Sequence, residues 1–321
     1  MEAHADEIPV MSMAKVLEVS RSGYYKYLKL KKENKLKYPT EIMENVYSIW
    51  KSNRKLYGGI KLTKKVKLQD PSIGIRRVRN MMKVLKIKGK QDKRFRVVTT
   101  DSNHNSTVKR DLVRRNFSPE RKNMIWVSDV TFIETLNKKH VYLCVILDLF
   151  SRMVVGWEIS ERNDAGLLIS ATSRAIEFRN PESGLILHSD LGSNYCSNEF
   201  RGYLYDNKII SSNSRKGNCW DNAVAESFFS ILKREIESNI FYDIYDAKNE
   251  ISEYIELFYN RQRIHSFLDY KSPYECDYGE NIFIGENSEI NYNCVFLDCN
   301  RITIGAVSVV TKSIIIRVNT P

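Results

Sequence analysis

The chain has 321 residues, of which 42% are hydrophobic and 11% aromatic, so it is long enough for more than one domain and has a globular composition. It contains no run of about 18 apolar residues, which argues against a membrane-spanning helix. The acidic first residues do not resemble a signal peptide, and the six cysteines form no CxxC pair, so we expect a cytoplasmic protein with reduced thiols and no zinc knuckle.

The net charge of +11 is distributed very unevenly along the chain. Residues 1–115 hold 29 Lys and Arg against 11 Asp and Glu, whereas residues 116–321 hold 21 against 28. An excess of positive charge in one region favours binding to a polyanion, because counterions are released from the nucleic acid. The first third is therefore predicted to bind nucleic acid, and a basic surface that only confers solubility is the alternative.

Residues 12–30 have the pattern of two short helices separated by a turn at residues 20–23. Ser20 or Ser22 is suited to cap the second helix. A two-helix unit of this size fits the helix-turn-helix mode of DNA binding. The residues predicted to contact DNA lie at the turn and on the second helix: Arg21, Ser22, Tyr24 and Tyr25.

A second helical unit is predicted from residue 40 to about residue 90. It comprises an amphipathic helix over 40–52, a turn at 70–74, and a helix with an apolar stripe formed by Val78, Met81, Met82 and Leu85. The other faces of that last helix are basic and suited to phosphate contacts, although an ordinary surface helix would show the same pattern. The predicted phosphate contacts are Arg76, Arg77 and Arg79.

Residues 90–116 are polar, basic and non-periodic, which is typical of a linker that lies along DNA. We therefore place a helical DNA-binding region and its linker in residues 1–115. From residue 116 to residue 279 the pattern changes to three apolar, β-branched runs, a helix over 164–178, a fourth apolar run, and helices over 197–206, 222–238 and 246–259. This order predicts a mixed α/β sheet covered by helices and fits a ribonuclease-H-like fold.

Three acidic residues stand out by their positions in these elements. Asp129 lies in the middle of the first strand, Asp190 ends the fourth, and Glu226 lies in a helix with 35 residues between it and Asp190. Cleaving and joining phosphodiesters requires charge neutralisation that two divalent ions supply, and such ions need converging carboxylates. Asp148 and Glu158 are competing strand carboxylates, for which a turn-forming or solvent-facing role is preferred. A structural role for Asp129 is also open.

Several motifs occur in one order along residues 8–279: VLEVSRSGYY, LYGGIKL, NMIWVSDVTFI, VYLCVILDLFSRMVVGWEIS, LILHSDLGSNY, SRKGNCWDNAVAESFFSILKRE and IELFYNRQRIHSFLDYKSPYE. Together they resemble the IS3 family of bacterial insertion-sequence transposases, which have a D,D-35-E integrase-like core. The resemblance implies that Asp129, Asp190 and Glu226 are the catalytic triad and bind Mg²⁺ or Mn²⁺, two ions in all. It also implies that Lys233, on the same helix face as Glu226, holds a DNA phosphate.

The resemblance also implies the partners of the chain. These are double-stranded DNA (element ends and target), further copies of the chain on DNA, and a DNA-binding protein encoded by an upstream reading frame. A transposase of this kind works on the bacterial nucleoid and needs no membrane.

Some single residues near these motifs have two interpretations. His188 either lines the site or packs in the core, with the core role preferred. Asn218, Trp220 and Asn222 are expected to cap the helix of Glu226 rather than touch DNA. A basic and aromatic cluster is predicted to contact phosphates, with Arg261 and Arg263 as its cations and Tyr259 and His265 beside them.

Residues 280–321 depart from the transposase pattern. Ile284, Ile290, Phe296 and Ile302 recur with a period of six, which is typical of a left-handed β-helix. The segment resembles a truncated maltose or galactoside O-acetyltransferase that lacks the stretch with the catalytic histidine. We expect a fused appendage. The alternative for the whole chain is a catalytically inactive DNA-binding remnant of a transposase joined to this fragment.

Overall fold

The structure is a computed structural model. It describes residues 1, 4–5, 7–32, 38–90, 110–136, 140–215, 219–236 and 240–279, and the backbone of six short strands between residues 282 and 317. The chain divides into two compact units, residues 1–90 and 91–321. None of the helices in the described part of the chain is both long and apolar enough to cross a membrane.

The first unit is helical. Its helices are α1 (Val10–Val16), α2 (Arg21–Lys32), α3 (Thr40–Ser52), α4 (Gly59–Val66) and α5 (Ile75–Val84). Helices α3, α4 and α5 pack around a small apolar core that includes the fully buried Val46, Leu62 and Val78. The predicted apolar stripe of α5 is buried at Val78, Met81 and Met82. The Ser20 hydroxyl accepts a hydrogen bond from the Gly23 N–H at 3.0 Å, so Ser20 caps α2.

The second unit contains a mixed sheet of six strands. They are β1 (Ile125–Thr135), β2 (His140–Asp148), β3 (Val154–Ser160), β4 (Ile186–Ser189), β5 (Ile210–Asn213) and β6 (Ile240–Phe241). The order is β3-β2-β1-β4-β5, with β6 beside the far end of β1. β1, β2 and β3 are antiparallel neighbours, whereas β4, β5 and β6 run parallel to the strands they pair with. The mixed α/β sheet predicted from the sequence is confirmed, and β1 is at its centre.

Helices cover this sheet. They are α6 (Ala165–Arg179), α7 (Asn198–Asp206), α8 (Ala223–Glu235), α9 (Ile244–Ser252), a π-helical segment (Glu253–Tyr259) and α10 (Pro273–Tyr278). Asp164 caps α6 by accepting from the Leu167 N–H at 3.1 Å. Gly156 allows α6 to approach β3, because a Cβ there would clash with the Ala171 carbonyl oxygen.

The last part of the predicted linker belongs to the second unit. The Leu112 N–H donates to the Ser212 hydroxyl beside β5 at 2.9 Å, and Val113 is only 2% exposed. Residues 110–116 therefore adjoin the sheet of the second unit through the Leu112 backbone and the Val113 side chain, and contact of this segment with DNA stays a prediction. Residues 91–109 lie outside the described residues.

The tail contains six short strands. They are β7 (Ile282–Ile284), β8 (Glu289–Ile290), β9 (Val295–Leu297), β10 (Ile302–Ile304), β11 (Val309–Val310) and β12 (Ile315–Arg317). β7 pairs with β10, β8 with β11 and β9 with β12, all in parallel and each residue with the one 20 positions further on. The predicted handedness and the likeness to an acetyltransferase remain predictions.

Candidate active site

Two of the predicted catalytic carboxylates lie on neighbouring parallel strands. Asp129 is near the middle of β1, and Asp190 directly follows β4. β1 and β4 pair with Val127 opposite His188, and the same register continued by two residues sets Asp129 opposite Asp190. Paired residues on parallel strands point to the same face, with the strands about 4.8 Å apart. The two carboxylates therefore lie side by side, and both are half-buried.

The third carboxylate approaches from a helix. Glu226 is exposed and lies in the first turn of α8, where the positive end of the helix dipole favours a carboxylate. The start of α8 is tied to β1, because the Asn222 side-chain amide donates to the Ser128 carbonyl oxygen at 3.3 Å. This bond is made one residue before Asp129, so it brings α8 to the strand of the first aspartate.

The three carboxylates interact electrostatically. The pKa of Asp129 is raised well above its usual value, first by burial and then by the negative charges of Asp190 and Glu226. The pKa of Glu226 is raised by burial and by Asp190. The negative charges of Asp190 and Glu226 thus make Asp129 harder to ionise, and that of Asp190 does the same for Glu226.

The donor chemistry of this group fits a hard divalent cation, since all its ligand atoms are carboxylate oxygens and a cation would relieve their mutual repulsion. The side chains are not yet arranged around one point. Asp129 accepts from the Val130 N–H at 2.8 Å, and Asp190 accepts from the Gly192 N–H at 3.0 Å. Over the described ranges, no three His, Cys, Asp or Glu side chains converge closely enough to hold a metal ion.

Lys233 lies on the β1 side of α8. Its Nζ atom is 4.8 Å from the centre of the Phe132 ring, and its charge lowers the pKa of Asp129. Burial lowers the pKa of Lys233 itself, an effect opposed by Glu134 and Asp129. The structure thus places this cation beside the carboxylate group.

His188 is a core histidine, as preferred from the sequence. It is 0% exposed, and its ring nitrogens lie 2.9 Å from the Ser212 hydroxyl and 3.2 Å from the Asp221 carbonyl oxygen. Burial lowers its pKa, which favours the neutral ring. The expected cap at Asn222 is wrong, because its side chain makes no capping bond to α8 and donates to β1 instead.

The competing carboxylates have structural roles. Asp148 is 0% exposed and accepts from the N–H groups of Asn123 and Phe150 at 2.7 and 2.8 Å, so it stabilises the turn after β2. Glu158 is paired with Arg174 and Lys248. Asp148 thus has the preferred turn-forming role, whereas Glu158 lies within β3 with a side chain only 13% exposed and is not solvent-facing.

The predicted basic and aromatic cluster is largely a buried polar network. Arg263 is 3% exposed and donates two hydrogen bonds to Glu235, at 2.7 and 2.8 Å. The expectation that Arg263 contacts DNA is therefore wrong in this structure, because its guanidinium group neutralises a buried carboxylate. Tyr259 and His265 are buried beside it. Arg261 is exposed and stacks over the Tyr274 ring.

The remaining predicted DNA contacts lie in the first unit. On α2, Arg21, Ser22 and Tyr25 are exposed and Tyr24 is half-buried. On α5, Arg76 and Arg79 are exposed and Arg77 is half-buried.

Sequence patterns did not reveal Asp221, which is 1% exposed just before α8. Its carboxylate accepts from Arg115 at 3.0 Å and from Arg215 at 2.9 Å, and these cations hold its pKa well below the usual value. Ser128 and Tyr195 were also missed. Their hydroxyl oxygens are 2.7 Å apart, which links β1 to the segment that follows Asp190. No local pattern signals such pairs, since the partners are far apart in the chain.

The mixed sheet with carboxylates on β1, after β4 and on α8 is the arrangement of an integrase-type core. Two models described as integrase core domain match residues 119–219 and 207–273. The chain therefore belongs to the class of integrase and transposase cores, which are enzymes of the polynucleotidyl transferase type.

Comparison with individual proteins narrows the class to one family. It is 36% identical over 262 residues (81% of this chain, 96% of the relative) to the 31 kDa protein of insertion element IS600 from Shigella sonnei. It is 34% identical over 233 residues (72% and 91%) to the transposase of IS904 from Lactococcus lactis. It is 30% identical over 276 residues (85% and 95%) to the transposase InsF of IS3A from Escherichia coli. The chain belongs to the IS3 family of transposases, proteins of DNA integration and recombination.

Solved structures show more distant likenesses. One is a simian T-cell lymphotropic virus intasome, with a TM-score of 0.42, 18% identity, and coverage of 69% of this chain and 70% of that chain. Another is the HTLV-2 integrase catalytic core in complex with magnesium, with a TM-score of 0.39, 20% identity, and coverage of 50% and 99%. TM-scores this low support no inference about this chain.

Proposed function

We propose that this transposase cleaves and joins DNA at the ends of an insertion sequence, with Asp129, Asp190 and Glu226 as its catalytic carboxylates. The observation that carries the proposal is that Asp190, directly after β4, and Glu226, on α8, lie close enough to Asp129 on β1 for their charges to raise its pKa. Bound cations would relieve the repulsion within such a group of carboxylates.

The three side chains would hold two Mg²⁺ or Mn²⁺ ions through their carboxylate oxygens. When bound, such ions neutralise charge on the attacking and leaving oxygens of an in-line phosphoryl transfer. Asp129 and Asp190 are fixed to the sheet, so they define the position of the scissile phosphate. Glu226 closes the site from α8, and the Lys233 ammonium group holds a neighbouring DNA phosphate.

The reaction has two phosphoryl transfers. In the first, a water oxygen bonds to phosphorus at the element end, and the 3′-oxygen leaves as a hydroxyl. In the second, this 3′-hydroxyl attacks a target phosphodiester, and the 3′-oxygen of the target leaves. Positioning of the DNA accounts for much of the acceleration of such reactions.

We further propose that residues 1–115 bind DNA and residues 116–279 catalyse. The exposed side chains of α2 and α5 would contact the element ends, with Arg21, Ser22, Tyr24, Tyr25, Arg76, Arg77 and Arg79 as contacts. Arg261 is retained as a phosphate contact and Arg263 is not, because only Arg261 is exposed. The excess of basic residues before residue 116 supports this division.

Assembly is the next part of the proposal. Two element ends and a target require several copies of the chain on the DNA. A DNA-binding protein from an upstream reading frame is a further partner. We place the complex at the bacterial nucleoid.

The tail, residues 280–321, is proposed to be a fused fragment of a hexapeptide-repeat acetyltransferase. Each strand pairs with the third strand after it, as three strands per coil would produce, and the offset of 20 residues is two more than three strict hexapeptides give. The two family-model matches end at residues 219 and 273, both before this segment.

The experiment is cleavage and joining of a labelled element end by the full chain in Mg²⁺ or Mn²⁺. Glu226→Gln keeps the shape of the side chain and removes its charge. We expect activity in the wild type and a loss of at least 100-fold in the variant, at equal DNA binding. DNA binding without cleavage by the wild type, with its upstream partner supplied, would favour the inactive remnant.

A further inference from the structure

Asp221 and Asn222, the two residues before α8, are bonded to the two strands that carry the catalytic aspartates. Asp221 bonds to β4 through its carbonyl oxygen, and Asn222 bonds to β1 through its side-chain amide. Both are buried, at 1% and 3% exposure. We call this dipeptide the α8 junction.

The bond to β4 is made by His188, two residues before Asp190. The His188 Nε2 atom is 3.2 Å from the Asp221 carbonyl oxygen. Its Nδ1 atom is 2.9 Å from the Ser212 hydroxyl on β5. The His188 ring thus joins β5, β4 and the α8 junction.

The bond to β1 is made one residue before Asp129. The Asn222 amide donates to the Ser128 carbonyl oxygen at 3.3 Å. Asn222 makes no side-chain cap on α8, and its Oδ1 atom is buried with no hydrogen-bond partner in the described part of the chain. Asn222 therefore does not have the usual role of a residue at the start of a helix.

Two arginine side chains also hold the α8 junction through the carboxylate of Asp221. The Asp221 carboxylate accepts from Arg215 Nε and Nη2, both at 2.9 Å, and from Arg115 Nε at 3.0 Å. These bonds fix the position of the α8 junction relative to the sheet. Because α8 starts at the next residue, the position of its first turn is fixed as well. Glu226 follows only four residues after Asn222, about one helical turn away.

We propose that the α8 junction is a positioning element that sets Glu226 against Asp129 and Asp190, with the Asn222 amide as its key contact. This inference rests on the proposed function of the three carboxylates. The junction touches no reacting group and acts through the distance between α8 and the two strands. A metal site assembled from three elements loses affinity when that distance is no longer fixed, typically by 10- to 100-fold for residues that orient metal ligands.

The test measures Mn²⁺ binding to the full chain by calorimetry, together with the Mn²⁺ concentration that half-saturates cleavage of an element end. Asn222→Ala removes the bond to β1. Asn222→Ser also removes it but supplies a side chain that caps helices well, so it separates positioning from helix stability. Asn260→Ala is the matched control, because this Asn is 1% exposed and exchanges two 3.0 Å hydrogen bonds with Val154 on β3, away from the carboxylates.

We expect both Asn222 variants to weaken Mn²⁺ binding and raise the half-saturating concentration by roughly tenfold. Asn260→Ala should lower the melting temperature and leave both metal values unchanged. Wild-type metal affinity in Asn222→Ser would overturn the inference. A tenfold loss in Asn260→Ala would also overturn it, because any loss of stability would then weaken metal binding.

The Glu226→Gln variant distinguishes failure of this inference from failure of the proposed function. If the wild type binds Mn²⁺ and Glu226→Gln does not, the proposed function stands, and the Asn222 variants alone decide the inference. If the wild type and Glu226→Gln are equally poor in Mn²⁺ binding and cleavage, the proposed function fails and the inference fails with it.

Discussion

Asp129 is repelled by the neighbouring carboxylates, so we predict that neutralising it stabilises the metal-free protein. Asp129→Asn removes one of two carboxylates that lie on strands about 5 Å apart. Two unit charges at this distance repel by about 1 kcal/mol in water and about 3 kcal/mol at an effective dielectric constant of 20. Both side chains are half-buried and partly screened, so the lower value is the better guide.

We therefore expect Asp129→Asn to raise the melting temperature in EDTA at pH 7 by about 2–4 °C, measured by circular dichroism. The sign follows from the raised pKa of Asp129. The folded state binds this proton more tightly than the unfolded state, so wild-type stability falls as the pH rises above the ordinary value of about 4. The advantage of the variant should disappear once the pH is lowered to where the Asp129 carboxyl is protonated in both states.

Asp148→Asn is the matched control on the neighbouring strand. Asp148 also has a pKa raised by burial, but it accepts two backbone hydrogen bonds, one on each oxygen. An amide replaces one of those acceptors with a donor, so we expect destabilisation by about 1–3 kcal/mol. Mg²⁺ should stabilise the wild type and have much less effect on Asp129→Asn. The reasoning is refuted if Asp129→Asn is neutral or destabilising without metal.

Three shorter predictions concern other parts of the chain. Arg263→Ala should destabilise the protein by about 1.5–3 kcal/mol in thermal unfolding, because the buried Glu235 carboxylate loses both guanidinium hydrogen bonds and keeps only the Tyr254 hydroxyl and Arg234, whereas Arg261→Ala should have little effect. The double change Arg76→Ala and Arg79→Ala should weaken DNA binding to all sequences and reduce the slope of log K against log salt by about two, and an unchanged slope would exclude phosphate contacts there. Deleting residues 280–321 should leave element-end cleavage intact, and complete loss of cleavage in a folded product would contradict the appendage hypothesis.

The sequence predicted the long elements well, because their burial is a local periodic signal. The helix expected over residues 164–178 is observed as Ala165–Arg179, and the three-strand meander is present. The helix expected over 246–259 is an α-helix only to Ser252 and continues as a π-helical segment, a change that no apolar period reveals. β5 and β6 have four and two residues, too few for a period to be recognised.

The site was only partly predictable. Asp129, Asp190 and Glu226 were identified by position in their elements and by the family resemblance. Arg263 was misassigned because charge in a sequence suggests a surface, and its buried partner Glu235 is 28 residues away.

The role of Asn222 was misassigned for a related reason. An asparagine before a helix suggests a cap, whereas its bond goes to a strand residue 94 positions earlier. Such pairings depend on the assembled sheet, and no local pattern contains them.

The most direct test of the account is a change of metal preference at Asp190. Asp190→Cys replaces a hard oxygen ligand with a softer sulfur ligand, which Mn²⁺ accepts better than Mg²⁺. The account predicts that this variant is folded, inactive in Mg²⁺, and regains cleavage and joining in Mn²⁺, while Asp190→Ala is inactive in both. A folded Asp190→Cys with the same ratio of Mn²⁺ to Mg²⁺ activity as the wild type would contradict metal binding by this carboxylate.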